Sequence, residues 1–182
     1  MNDPFEMLGV ERRFDLDLAT LEKTHRELSR ALHPDRYAGA GASERRAVLE
    51  KAASVNEAWR TVRDPIKRAE ALFALAGLQV GEDNEPKPTP AFLMEVLEQR
   101  EALSDARAAK DLVKVRSIGA AMEKRANDAE QKLAQGFVAV GTDASAADRT
   151  AVTELLPLLG ELRFFKRFLE EVSNIEEENE GD

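Results

Sequence analysis

Along the chain the apolar residues recur at steps of three and four, the period of a helix packed on one side. Leu18, Leu21, His25, Leu28 and Leu32 mark one such stripe, and Val48, Ala52, Val55, Trp59 and Val62 mark a second. Between them stands His33-Pro34-Asp35, followed by Tyr37-Ala-Gly-Ala-Gly. The residue before a proline is pushed out of the α region, so His33 should be extended and the tripeptide should form a loop. Two long helices joined by a loop of about ten residues predict an antiparallel αα-hairpin. Shorter helices flank it. Asn2 or Asp3 can cap a first helix that has Pro4 at its first position and ends at Gly9. Asp15 or Asp17 precedes the second helix, Ser43 caps the third, and Asp64-Pro65 opens a fourth that runs to Gly77.

Residues 81–90 carry three prolines and no apolar period, as expected of a stiff linker. Beyond them the helical pattern returns. Phe92, Val96 and Leu103 stripe a helix over about 91–108. A long helix follows with Leu112, Val115, Ile118, Met122, Ala126, Ala129, Leu133 and Val140 near one face, and Gly141–Ser145 reads as a turn. The last helix carries Leu155, Leu159, Leu162, Phe165, Leu169 and Val172, and Pro157 should kink or split it. The pattern therefore predicts an all-α chain with a helical hairpin and flanking short helices over 1–77. A linker over 78–90 leads to a three-helix bundle over 91–175 and a frayed acidic tail over 176–182.

Three places depart from the burial pattern. His33-Pro34-Asp35 is a polar tripeptide that is either plain turn chemistry or a docking loop. The helix before it carries Lys23, Arg26 and Arg30 on one face, roughly opposite the apolar stripe and interrupted by Glu22 and Glu27. That trio also fits an ordinary solvated face. On a helical wheel with Val96 at zero, Met94, Leu97, Glu98 and Glu101 cluster between about 100° and 200°. They form either an exposed apolar patch or the edge of a wide core face. Phe164 lies roughly 200° from Leu162 and should point outward, and Phe168 is also offset. A surface Phe fits an interface anchor, or packing against the first domain. His25 and Trp59 sit on apolar stripes and are expected in the core.

Composition narrows the classes. Of 182 residues, 34% are charged and only 5% aromatic, with Ala, Leu, Glu, Arg and Lys abundant, which favours helix throughout. The absence of cysteine excludes disulfides and thiolate metal sites within this chain and fits a reducing cytoplasm. With no signal-like segment or membrane-length apolar run, a cytoplasmic location is expected, with no membrane partner. The net charge of −9 lies wholly in residues 77–182, since residues 1–76 hold 13 basic and 13 acidic side chains. That asymmetry disfavours nucleic acid and hints at two domains with different partners.

A helix, a His-Pro-Asp loop and a second helix, with basic residues before the loop, resemble the J domain of DnaJ-type co-chaperones. Phe92-Leu-Met-Glu-Val-Leu-Glu-Gln-Arg-Glu-Ala-Leu103, Leu162-Arg-Phe-Phe and the Asn56–Pro65 stretch look like the HscB family of iron–sulfur co-chaperones, over about residues 3–175. The resemblance implies an L-shaped molecule, a J domain on a three-helix bundle. It implies that the J domain stimulates the ATPase of a DnaK-type, HscA-like chaperone, and that the bundle holds an IscU-like scaffold for cluster transfer. His33, Pro34 and Asp35 then match the triggering loop, and Lys23, Arg26 and Arg30 the docking helix. Leu93, Met94, Leu97, Glu98, Arg100, Glu101 and Phe164 match the scaffold-binding face. The family implies no cofactor and no catalytic residue. Helix two is less uniformly basic than in many J domains, and the cysteine-rich metal module of some eukaryotic relatives is absent. Neither Pro157 nor the acidic tail has a counterpart in this scheme.

Other classes fit less well. An enzyme using His33 and Asp35 lacks a nucleophile beside them and a phosphate-cradling loop, and two distant histidines make no zinc site. A general J-domain co-chaperone would use the bundle as a nonspecific client clamp and tolerate Phe164→Ala. For a helix-turn-helix DNA binder, the inter-helix loop is too long and the first half carries no excess positive charge.

Overall fold

The computed structural model describes residues 3–80, 88–141 and 149–180, and every regular element among them is helical. The contacts divide the chain into two compact units, Met1–Val80 with Phe137–Val152, and Gly81–Gly136 with Thr153–Asp182. The unit boundary thus falls inside a helix. The sequence pattern gave the whole of 91–175 to one bundle.

In the first unit, α1 (Pro4–Leu8) is capped by Asp3, whose carboxylate accepts the Phe5 N–H at 2.9 Å. It ends at Gly9, whose φ of 66° is a left-handed conformation that glycine adopts without steric cost. Helix α2 (Leu18–Ala31) is capped by Asp17 rather than Asp15, and α3 (Ala42–Arg63) runs alongside it. Gly41, not Ser43, is the cap of α3, and it makes no side-chain cap bond. Helix α4 (Pro65–Leu75) starts at the Asp64 cap with Pro65 in the first turn, where its missing N–H costs nothing.

Helix α3 is the centre of this unit and packs on α1, α2 and α4. Its buried residues are Val55, Ala58 and Val62, and the helices around it bury Phe5, Leu8, Leu21, Leu72 and Phe73. Each fully buried Leu or Phe contributes about 2 kcal/mol of burial free energy. Six of the ten expected stripe residues lie farther out, Leu28, Val48 and Ala52 among them as half-buried. Leu18, at the first position of α2, is exposed, and Trp59 is half-buried. His25 is half-buried too, stacked on Trp59 at 4.9 Å with its Nε2 3.0 Å from the Asn56 amide oxygen. Phe14, between α1 and α2, is buried beneath the Arg68 guanidinium at 4.7 Å.

The second unit contains α5 (Pro90–Ala108), most of α6 (Leu112–Val140) and α8 (Leu156–Glu180). Thr89 caps α5, so Pro90 opens the helix instead of closing the linker; residues 81–87 of that linker lie outside the described residues. Lys110, with φ 53°, turns the chain from α5 into α6, whose first turn is capped by Asp111 through the Lys114 N–H at 3.0 Å. Helix α6 passes so close to α8 that a Cβ on Gly119 would stand 2.9 Å from Val172 Cγ1. Pro157 splits the last segment. A short α7 (Arg149–Thr153) precedes it, and Pro157 itself sits in the first turn of α8. Gly141 takes φ 74°, and the rest of the expected turn, 142–145, lies outside the described residues.

Several stripe positions shift: Leu112 is half-buried, and Leu155 lies half-buried in the turn before α8 instead of on the helix. On α6, Phe137 is buried in place of Val140; it stacks on Phe14 at 6.0 Å and meets Phe73 edge-on at 5.0 Å, which is why the end of α6 belongs to the first unit. On α8, Phe168 is fully buried and Leu169 only half-buried. The acidic tail does not fray at residue 176. Helix α8 continues to Glu180, with Glu176 paired to Arg116 at 3.0 Å and Glu178 to Arg107 at 2.7 Å.

Candidate functional site

The first candidate surface is built by a proline. Pro34 ends α2 and fixes His33 in an extended conformation (φ −66°, ψ 130°), and residues Pro34–Tyr37 then wind into one 3₁₀ turn rather than an open loop. His33 caps that turn, since its Nδ1 accepts the Asp35 N–H at 3.3 Å. In the neutral ring this leaves the proton on Nε2, available as a donor. The Tyr37 hydroxyl donates to the Ala31 carbonyl at 3.3 Å and ties the turn back to α2. The result holds two polar groups in solvent: the side chains of His33 and Asp35 are 59% and 89% exposed. Pro34 is exposed as well, and so is Arg36, a neighbouring cation on the same turn that the apolar pattern did not single out.

Lys23, Arg26 and Arg30 are all exposed on α2, opposite the buried Leu21. Their surface is mixed, because Arg26 is engaged by Glu22 one turn earlier and Glu27 lies beside them. An exposed pair of that kind contributes only about 0.3–0.5 kcal/mol, so a partner can displace it.

The second candidate surface lies on α5. Phe92, Val96, Leu103 and Ala106 face inward, while Leu93, Met94 and Leu97 are 46%, 62% and 64% exposed. The open question of a wide core face is thereby answered: the apolar group is on the surface. Glu98, Arg100 and Glu101 are exposed around it. Three neighbouring apolar side chains rimmed by charge form the usual anatomy of a protein interface.

Phe164 does not stand clear in solvent as the helical wheel suggested. It is half-buried, edge-on to Phe92 at 5.5 Å and against Phe165 and Phe168 at 5.6 and 5.8 Å. One helix read alone could not reveal that, since Phe92 comes from α5. The structure therefore places Phe164 in an aromatic cluster at the start of α5, anchored in the bundle and partly open.

Among the described residues, no group of His, Asp and Glu side chains is arranged to hold a metal ion, and no helix is long and apolar enough to cross a membrane.

Comparison with known proteins covers most of the chain. Residues 88–173 match the family model of the HSCB C-terminal oligomerisation domain. A co-chaperone protein HscB homolog of Ralstonia nicotianae is 42% identical over 154 residues, 84% of this chain and 85% of the relative. One from Burkholderia thailandensis is 37% identical over the same shares. The structure of chaperone HscB from Vibrio cholerae superposes with a TM-score of 0.80 at 26% identity, covering 97% of this chain and 99% of that one. Human co-chaperone protein HscB, at 22% identity, shares the fold with a TM-score of 0.78 over 95% of this chain and 81% of its own.

Proposed function

The chain belongs to the HscB family of co-chaperones, and from that premise we propose that it stimulates the ATPase of an HscA-like chaperone and delivers an IscU-like iron–sulfur scaffold to it. The observation that carries this proposal is the coexistence of two unlike exposed surfaces, the His33-Pro34-Asp35 turn and the Leu93–Met94–Leu97 patch. One is polar and offers a ring N–H donor and a carboxylate acceptor. The other is apolar with a charged rim.

The chemistry of such a protein is coupling. A ligand shifts a partner between two states only by binding one of them better. His33 Nε2–H and the Asp35 carboxylate would bind the hydrolysis-competent state of the chaperone, and Lys23, Arg26 and Arg30 would steer its approach, more weakly as salt rises. On the second surface Leu93, Met94 and Leu97 would bury against the scaffold, with Phe164 reaching the same interface. Glu98, Arg100 and Glu101 would set charge complementarity at the rim. Nothing in this scheme asks the chain for a catalytic group.

The matched family model is described as an oligomerisation domain, so a second copy of this chain is the competing occupant of the α5 patch. The test is steady-state ATP hydrolysis by the HscA-like chaperone with this protein, with the scaffold, and with both. Stimulation by the protein that rises further with the scaffold supports coupled delivery. Stimulation indifferent to the scaffold, together with binding to unfolded chains, would mean a general J-domain co-chaperone instead. Sedimentation of the free protein distinguishes a self-associating patch from one kept for the scaffold.

A further inference from the structure

Hydrophobic burial specifies the rotation of α5 about its axis firmly in its last turns and less firmly in its first two. Of the apolar residues there, Phe92 and Val96 face the bundle but are only half-buried, while Leu93, Met94 and Leu97 face out. Turning those two turns by about one residue, roughly 100°, would carry Leu93 and Leu97 inward and move Phe92 off its edge-on contacts with Phe164 and Phe165. Only Leu103 and Ala106, in the last turns, are fully buried. These apolar contacts oppose the turn, and a second contact acts with them on the first two turns.

That second contact is polar and directional. Glu95 sits on the flank of α5 away from the patch, and both of its carboxylate oxygens accept from the guanidinium of Arg125 on α6, one of them at 2.8 Å. The same guanidinium lies 5.0 Å from the centre of the Phe165 ring on α8. Arg125 therefore touches all three helices of the unit. A two-pronged guanidinium–carboxylate pair has a fixed plane, so it resists rotation in a way that a greasy contact cannot. The ring beneath it removes water from one side of the cation. Both partners are partly exposed, so the value of the pair is in orientation more than in stability.

We propose that the Glu95–Arg125 pair, seated on Phe165, fixes the rotation of the first two turns of α5 and so holds Leu93, Met94 and Leu97 outward. Glu95 and Arg125 are positioning residues: neither belongs to the patch. That this matters for scaffold capture rests on the docking function proposed above; the positioning itself does not.

Because the chain has no cysteine, rotation can be read directly. Single thiols are introduced as Met94→Cys or Val96→Cys in the full chain, and maleimide labelling rates are compared. With Arg125 intact, position 94 should label much faster than position 96. In Arg125→Met the ratio of the two rates should fall several-fold, and the reciprocal exchange Glu95→Arg with Arg125→Glu should restore it. Glu95→Ala is read in the same way and serves if Arg125→Met does not fold. An unchanged ratio in either folded variant overturns the proposal. A changed ratio with unchanged scaffold binding upholds the positioning and counts against the docking function.

Discussion

The His33-Pro34-Asp35 turn presents a ring nitrogen and a carboxylate from a shape fixed within a few residues, whereas the α5 patch presents three apolar side chains from a shape fixed by two other helices. In the turn, Pro34 sets the backbone, His33 caps it and Tyr37 ties it to α2, all between residues 31 and 37. On α5 the first two turns are oriented by partners on α6 and α8. Polar groups gain from being in water, so the turn costs little to display. The apolar patch forgoes burial, and such a surface persists where a partner covers it.

If that contrast is right, the two surfaces should fail separately. The largest effect is expected from Asp35→Asn: ATPase stimulation should fall to the chaperone's basal rate. Scaffold binding and the unfolding curve should stay as they were, the latter within about 0.5 kcal/mol. Chaperone turnover and calorimetry on the same preparation check both halves. Loss of scaffold binding in this variant would break the separation.

Phe164→Ala should act across the contrast, because the ring is both cluster and surface. Removing it from contact with Phe92, Phe165 and Phe168 should cost about 2–3 kcal/mol in denaturant unfolding. Scaffold affinity should fall as well. A stability change near zero would mean that the cluster does not hold the ring.

A smaller effect is expected on α2. Arg30→Ala should weaken chaperone docking by up to about 1 kcal/mol, roughly fivefold, and flatten its salt dependence. Arg26→Ala should do less, since Glu22 already engages that guanidinium. Titrations at two ionic strengths distinguish the two substitutions.

The smallest effect concerns the start of α2. The Thr20 hydroxyl, with the N–H groups of Thr20 and Ala19, holds the Asp17 carboxyl below its ordinary value of 3.8. A group lowered on folding contributes its stability above the unfolded value and loses it as pH falls through the folded one. Thermal unfolding of the wild-type chain should therefore lose more on acidification below pH 3.8 than that of Asp17→Asn.

The same contrast explains what could be seen in the sequence. Caps and prolines act within a few residues, so Asp3-Pro4, Asp64-Pro65 and the extended His33 before Pro34 were all legible, as was the all-helical class. The α5 patch was legible as a candidate because its apolar residues left the stripe, but its exposure depended on helices elsewhere in the chain. A single-helix wheel points Phe164 outward because its partner Phe92 lies on a different helix. The tail reads as frayed from local sequence because its partners, Arg107 and Arg116, are 71 and 60 residues away from Glu178 and Glu176. Phe137 falls off the predicted stripe for the same reason: its neighbours Phe14 and Phe73 belong to the other half of the sequence.

The most direct test of a dedicated scaffold face is calorimetric titration of an IscU-like scaffold into the wild-type chain and into Met94→Ala with Leu97→Ala. Both side chains are exposed, so the variant should unfold at the wild-type midpoint. Its affinity should be at least about tenfold weaker, a loss of roughly 1.4 kcal/mol or more. Equal affinity for the two chains would contradict the account and move the scaffold, if it binds at all, to another surface.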